Sequence, residues 1–114
     1  MITIYHNPRC SKSREVLEII KNSGQEHKIR EYLVEHVSKK ELEDLLAKLH
    51  MAPIELVRTE EKDWKENYQD RDLSDDELLE LLVAQPRLIE RPIVVSDDKA
   101  VLARPPERVQ ELLR

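Results

Sequence analysis

Phenylalanine is missing altogether, and glycine, cysteine and tryptophan each occur once among 114 residues. Without Phe, the interior has to be filled by Leu, Ile and Val. A single cysteine cannot close an intramolecular disulfide and fits a reduced compartment, so the cytosol is the expected location. No apolar run approaches the roughly 20 residues that a membrane helix requires. Basic charge is also outweighed: 19 Lys and Arg against 24 Asp and Glu give a formal net charge of -5. Duplex binding wants a basic footprint, so a nucleic-acid partner is not expected. The N-terminus lacks a basic stretch followed by a long apolar one, so no secretory signal is expected either.

What is present points to one domain of the ordinary size range. Hydrophobic residues make up 39% of the chain and charged residues 38%, enough for a modest core under a heavily charged surface. Ile2, Ile4 and His6 alternate with Thr3 and Tyr5 as in a strand. After Asn7-Pro8-Arg9-Cys10 the spacing turns helical through Val16, Leu17, Ile19 and Ile20. That helix ends near Gly24, where a C-terminal cap wants a left-handed residue. A second strand is expected around His27 to Tyr32, completing a βαβ unit.

Ser38 with Glu41, and Ser74 with Glu77, have capping-box spacing and open helices with apolar faces. Pro53 starts a short helix, and another is expected between Thr59 and Asp72. Pro92 to Val95 and Ala100 to Ala103 flank a polar turn and read as a hairpin. Pro105 and Pro106 then start a closing helix through Val109, Leu112 and Leu113. The order is a βαβ half, an all-helical stretch at about residues 38–86, and a ββα half. That is the layout of an α/β, thioredoxin-like fold: a mixed four-stranded sheet flanked by helices, with a helical insert.

Cys10 lies where a strand gives way to a helix, and free N–H groups and the helix dipole there favour an anion. Arg9, Lys12 and Arg14 surround it, which pushes a thiol toward its thiolate. His6 could add a positive charge or a hydrogen bond. The alternative is an inert, buried cysteine, but such a residue gains nothing from basic neighbours. Ser13 stands where a dithiol protein would carry the second cysteine of Cys-x-x-Cys. Any adduct of Cys10 therefore needs an external thiol. The four histidines are scattered without zinc spacing, so no metal site is expected. Trp64 and Tyr68, four apart, read as packing.

The run Ile4-Tyr5-His6-Asn7-Pro8-Arg9-Cys10-Ser11-Lys12-Ser13-Arg14 resembles the active-site signature of the glutaredoxin-dependent arsenate reductases, the ArsC family. Leu56-Val57-Arg58, Glu90-Arg91-Pro92-Ile93-Val94-Val95 and Leu102-Ala103-Arg104-Pro105 match in order and spacing. The resemblance covers essentially the whole chain. It implies a thioredoxin-like fold, Cys10 as nucleophile and Arg58, Arg91 and Arg104 as an oxyanion-binding set. His6, Asn7, Ser13 and Pro92 would support them, with Pro92 as the cis proline that faces the cysteine.

The chemistry implied is reduction of arsenate by a monomer with no tightly bound cofactor and glutathione as co-substrate. Cys10 attacks arsenic while guanidinium groups and loop N–H groups hold the oxyanion. Glutathione then forms a mixed thiol–arsenic species, glutaredoxin removes the glutathione, and arsenite leaves. Two other readings share the fold. A paralogue could act on another oxyanion or a mixed disulfide, since fold does not fix substrate. A regulator of the Spx type would bind RNA polymerase, but it uses a Cys-x-x-Cys switch that Ser13 removes.

Overall fold

The computed structural model describes residues 1–113 as two compact units, residues 1–35 with 91–113, and residues 36–90. The first holds a four-stranded sheet built from β1 (Ile2–Tyr5), β2 (His27–Arg30), β3 (Ile93–Ser96) and β4 (Lys99–Leu102). Its order is β2-β1-β3-β4, with β1 and β2 parallel and the other pairs antiparallel. This is the mixed sheet expected from the sequence.

Helix α1 (Ser11–Asn22) crosses from β1 to β2 and buries Val16 and Ile20. They join Ile2, Ile4, Val94, Val101, Ala103 and Val109 in one aliphatic core. Complete burial of each Val or Ile side chain contributes roughly 1.5–3 kcal/mol, and no aromatic ring is needed to build this core. Gly24, at φ 74°, follows the helix and donates its N–H to the Lys21 carbonyl, the left-handed exit its position predicts.

Two boundaries differ from expectation. β2 stops at Arg30, because the Glu31 carbonyl accepts the N–H groups of Val34 and Glu35 and turns the chain. The closing segment, Pro106–Glu111, is a 3-10 helix. Its bonds run three residues back, Arg108 to Pro105 and Leu112 to Val109, and it packs on α1 and β4. Val109 and Leu112, three apart, eclipse in a 3-10 turn and so face the core together.

The second unit is helical: α2 (Lys39–Leu49), α3 (Lys62–Asn67) and α4 (Asp75–Ala84), with 3-10 turns at Pro53–Leu56 and Pro86–Leu88. Ser38 accepts the Glu41 N–H at 3.1 Å, and Ser74 and Glu77 exchange both bonds of a capping box. Such a cap is worth about 1 kcal/mol. Leu42, Leu45 and Leu46 of α2 and Leu78, Leu79 and Leu82 of α4 are buried, and the two helices pack together. Trp64 is buried and stacks on Tyr68 with ring centroids 6.1 Å apart. Among the described residues no helix is long and apolar enough to cross a membrane.

Candidate active site

Strand register brings distant parts of the sequence to one end of the sheet. Tyr5, the last residue of β1, pairs with Ile93 at the start of β3 and with Arg30 at the end of β2. Ile93 in turn pairs with Leu102, the last residue of β4. The loop of Asn7 to Cys10, Arg91-Pro92 and Ala103-Arg104 therefore emerge together. Ala103 donates its N–H to the Pro92 carbonyl at 3.0 Å, and the Arg104 guanidinium donates to the Arg91 carbonyl at 3.4 Å. The Arg91-Pro92 bond is cis, as is Arg104-Pro105.

The cysteine loop is a turn closed by the Cys10 N–H on the Asn7 carbonyl at 3.0 Å. Asn7 Oδ1 accepts the Arg9 N–H, and the Arg14 guanidinium donates to the Pro8 carbonyl, so the turn is tied at both faces. Cys10 takes the N-cap position of α1, buried at 9% exposure. Burial by itself raises its pKa. The Ser13 N–H, the Arg91 charge, the Lys12 N–H and a hydrogen bond from the Arg91 guanidinium together outweigh that and leave the thiol below its ordinary value. A thiolate at neutral pH is the reactive form.

Iodoacetamide alkylation of the native protein should accordingly show a pH midpoint below the free-thiol value of about 8.5. A midpoint at or above that value would contradict a stabilised thiolate. Arg91→Ala should move the midpoint up, because it removes both a charge and a donor.

Of the two roles expected for His6, charge or hydrogen bond, the structure shows a hydrogen bond, and its partner is Ser13. Its Nδ1 is hydrogen-bonded to Ser13 Oγ at 2.6 Å, and the same oxygen accepts the Asn7 N–H at 3.0 Å. Both side chains are buried, Ser13 completely. Burial lowers the imidazole pKa; Glu31 pulls it back up, while Lys21 and Arg14 push it down, and the balance lies below the usual value. At neutral pH His6 is therefore an uncharged brace for the loop and no source of positive charge for Cys10.

A ring titration followed by NMR should place the His6 midpoint below 6.5. Between the folded value and about 6.5 the unfolded chain binds a proton that the folded one refuses. This contribution to stability is whole above about 6.5 and falls away as the pH drops through the folded pKa. A midpoint above the ordinary value would reverse the sign.

The basic neighbours also act differently from their sequence pattern. The Lys12 and Ser13 contributions come from main-chain N–H groups, and the guanidinium on the sulfur belongs to Arg91, from the far half of the sequence. Arg58 lies in the helical unit, where its guanidinium donates to the Arg87 carbonyl at 3.2 Å and pairs with Glu61 at 3.1 Å. Its own N–H bonds the Leu88 carbonyl, and Val57 bridges to Ile89, which fixes the segment. Residue spacing carries no sign of Glu31, whose carboxylate acts on His6 across the sheet end. Among the described residues no group of three His, Cys, Asp or Glu gathers in a way that could hold a metal ion.

A model of the ArsC family matches residues 5–112. The chain belongs to the ArsC family. Within it, the chain is 42% identical to an arsenate reductase of Haemophilus influenzae, over 98% of each protein. It is 46% identical to an uncharacterized protein of Escherichia coli, YfgD, over 98% of this chain and 96% of that one. The solved structure of an arsenate reductase from Vibrio cholerae superimposes with a TM-score of 0.92 at 43% identity, covering 98% of this ArsC-family chain and 97% of the other.

Proposed function

We propose that this protein is a cytosolic arsenate reductase that draws its electrons from glutathione and glutaredoxin. The observation that carries the reading is the lowered thiol of Cys10, held by the Arg91 guanidinium at a helix N-terminus in a chain of this family. The relatives named arsenate reductase supply the substrate.

Cys10 thiolate attacks arsenic(V), and one arsenic oxygen leaves as water after taking up protons. Arg91 and Arg104 would hold the remaining oxygens, with Arg58 contributing a third guanidinium; planar forks suit a tetrahedral oxyanion better than ammonium groups do. Glutathione then supplies the second thiol. Its sulfur displaces a second arsenic oxygen as water, giving a mixed Cys10–arsenic–glutathione species. A glutaredoxin thiolate then takes the glutathione as a mixed disulfide; the electron pair of the broken arsenic–sulfur bond reduces arsenic(V) to arsenic(III), and water releases arsenite from Cys10 as the free thiol. Pro92 walls the site, while Asn7, His6 and Ser13 keep the loop in shape.

The test is NADPH oxidation coupled through glutathione reductase and glutaredoxin, started by arsenate. Turnover that needs arsenate, glutathione and glutaredoxin together is the expected result. No response to arsenate beside a clear response to selenate or to a mixed disulfide would assign the site to another substrate, the open question that YfgD leaves in this family.

A further inference from the structure

Cys10 is the one cysteine of the chain, so the second thiol must come from outside and reach it. The sheet end that carries Cys10 also carries a cleft of about 350 Å³. Asn7, Pro8 and Arg9 line it from the turn before Cys10, and Glu31, Leu33 and Val34 from the segment after β2. We propose that this cleft binds a small zwitterionic peptide thiol of the glutathione type, with Arg9 taking a carboxylate and Glu31 the ammonium group. The proposal rests on the reading that Cys10 is resolved by an external thiol.

Three features select this occupant. Arg9 and Glu31 are both exposed and of opposite sign, and among the described residues neither side chain has a hydrogen-bond or ion-pair partner. Between them lies uncovered apolar surface, with Val34 at 71% exposure and Leu33 at 38%. A concave site with apolar walls and a few convergent polar groups suits a small ligand, and small-molecule pockets start at about 300 Å³. The placement is also right. Asn7 and Cys10 are the ends of one closed turn, so their Cα atoms lie within about 7 Å. A tripeptide seated against Asn7 and Arg9 is long enough to extend its sulfur past the rim of the cleft to Cys10, the other end of that turn.

The ligand to use is S-methylglutathione, whose blocked sulfur removes every redox step and makes binding readable whether or not arsenate is a substrate. Amide shifts in the full-length protein should concentrate at Asn7, Arg9 and Glu31 to Val34. Arg9→Gln and Glu31→Gln should each weaken binding about two- to fivefold, as expected for exposed charge pairs, and together about tenfold. Raising the salt should weaken wild-type binding and leave the double variant little changed. The N-acetylated diester of S-methylglutathione, stripped of charge, should bind wild type as weakly as S-methylglutathione binds the double variant. Binding at these residues supports the cleft even beside a negative arsenate assay. Shifts mapping elsewhere, or one Kd shared by all variants, would overturn the assignment. So would variants that lose glutaredoxin binding while keeping S-methylglutathione binding, which would make the cleft a protein-docking surface.

Discussion

Cys10→Ser is expected to bring arsenate turnover down to background while the unfolding midpoint stays near that of the parent. A serine hydroxyl is a far weaker nucleophile at neutral pH, and it gives arsenic no thiolate ligand beside which glutathione can bind. Loss of the group that bonds the substrate typically costs several orders of magnitude in kcat. The fold should survive because the exchange is nearly isosteric and the core is built elsewhere, from Ile4, Val16, Val94 and Val109. The substituted hydroxyl would also find the N–H groups that now face the sulfur, and serine is a good N-cap residue. Activity retained in this cysteine-free protein would rule out the mechanism. Inactivity accompanied by loss of the cooperative unfolding transition would say nothing for a chemical role, so both are measured on one preparation.

The second large effect concerns the arginines. Replacing Arg91, Arg104 or Arg58 with Lys keeps the charge and removes the two-pronged donor geometry. A charge-assisted contact to an anion is worth roughly 1.5–3 kcal/mol, so kcat/KM for arsenate should fall about ten- to a hundredfold in each variant. Arg91→Lys should also raise the alkylation midpoint of Cys10, because the guanidinium that bonds the sulfur is lost. Arg104→Lys and Arg58→Lys test substrate contact more purely. The unfolding midpoint should move little, even at Arg58, whose pair with Glu61 is partly exposed and worth at most about 1 kcal/mol. A polymerase-binding regulator would show no arsenate turnover in the parent and no such pattern in the variants. Three Lys variants as active as the parent would mean that the family likeness describes the fold and not the chemistry.

Much of this architecture was legible because the sequence marks its own boundaries. Gly24 stands at a left-handed position, Ser74 and Glu77 make the capping box their spacing announces, and β3 and β4 flank the polar turn between Ser96 and Lys99. Elements without such marks are less legible. The Pro106–Glu111 segment has the apolar spacing of either helix type, and packing rather than sequence decides for 3-10. The site divides in the same way. Cys10, Arg91 and Arg104 could be picked out by their motifs, and register explains why they meet. The N–H groups at the start of α1 were equally legible, from the strand-to-helix position of Cys10. The source of the charge was not: nearness in sequence points to Arg9, Lys12, Arg14 and His6, whereas the guanidinium on the sulfur is that of Arg91 from across the sheet. The His6–Ser13 bond spans a strand end, a turn and a helix start, and burial then decides the charge of the imidazole. None of those facts is carried by residue type alone.

Mass spectrometry of the protein quenched after reaction with arsenate and glutathione, with glutaredoxin withheld, tests the central claim most directly. One glutathione joined to Cys10 through arsenic is expected, formed only when arsenate is present and absent from Cys10→Ser. Protein active in the coupled assay that carries no such adduct, or that gains as much glutathione without arsenate, would contradict the claim.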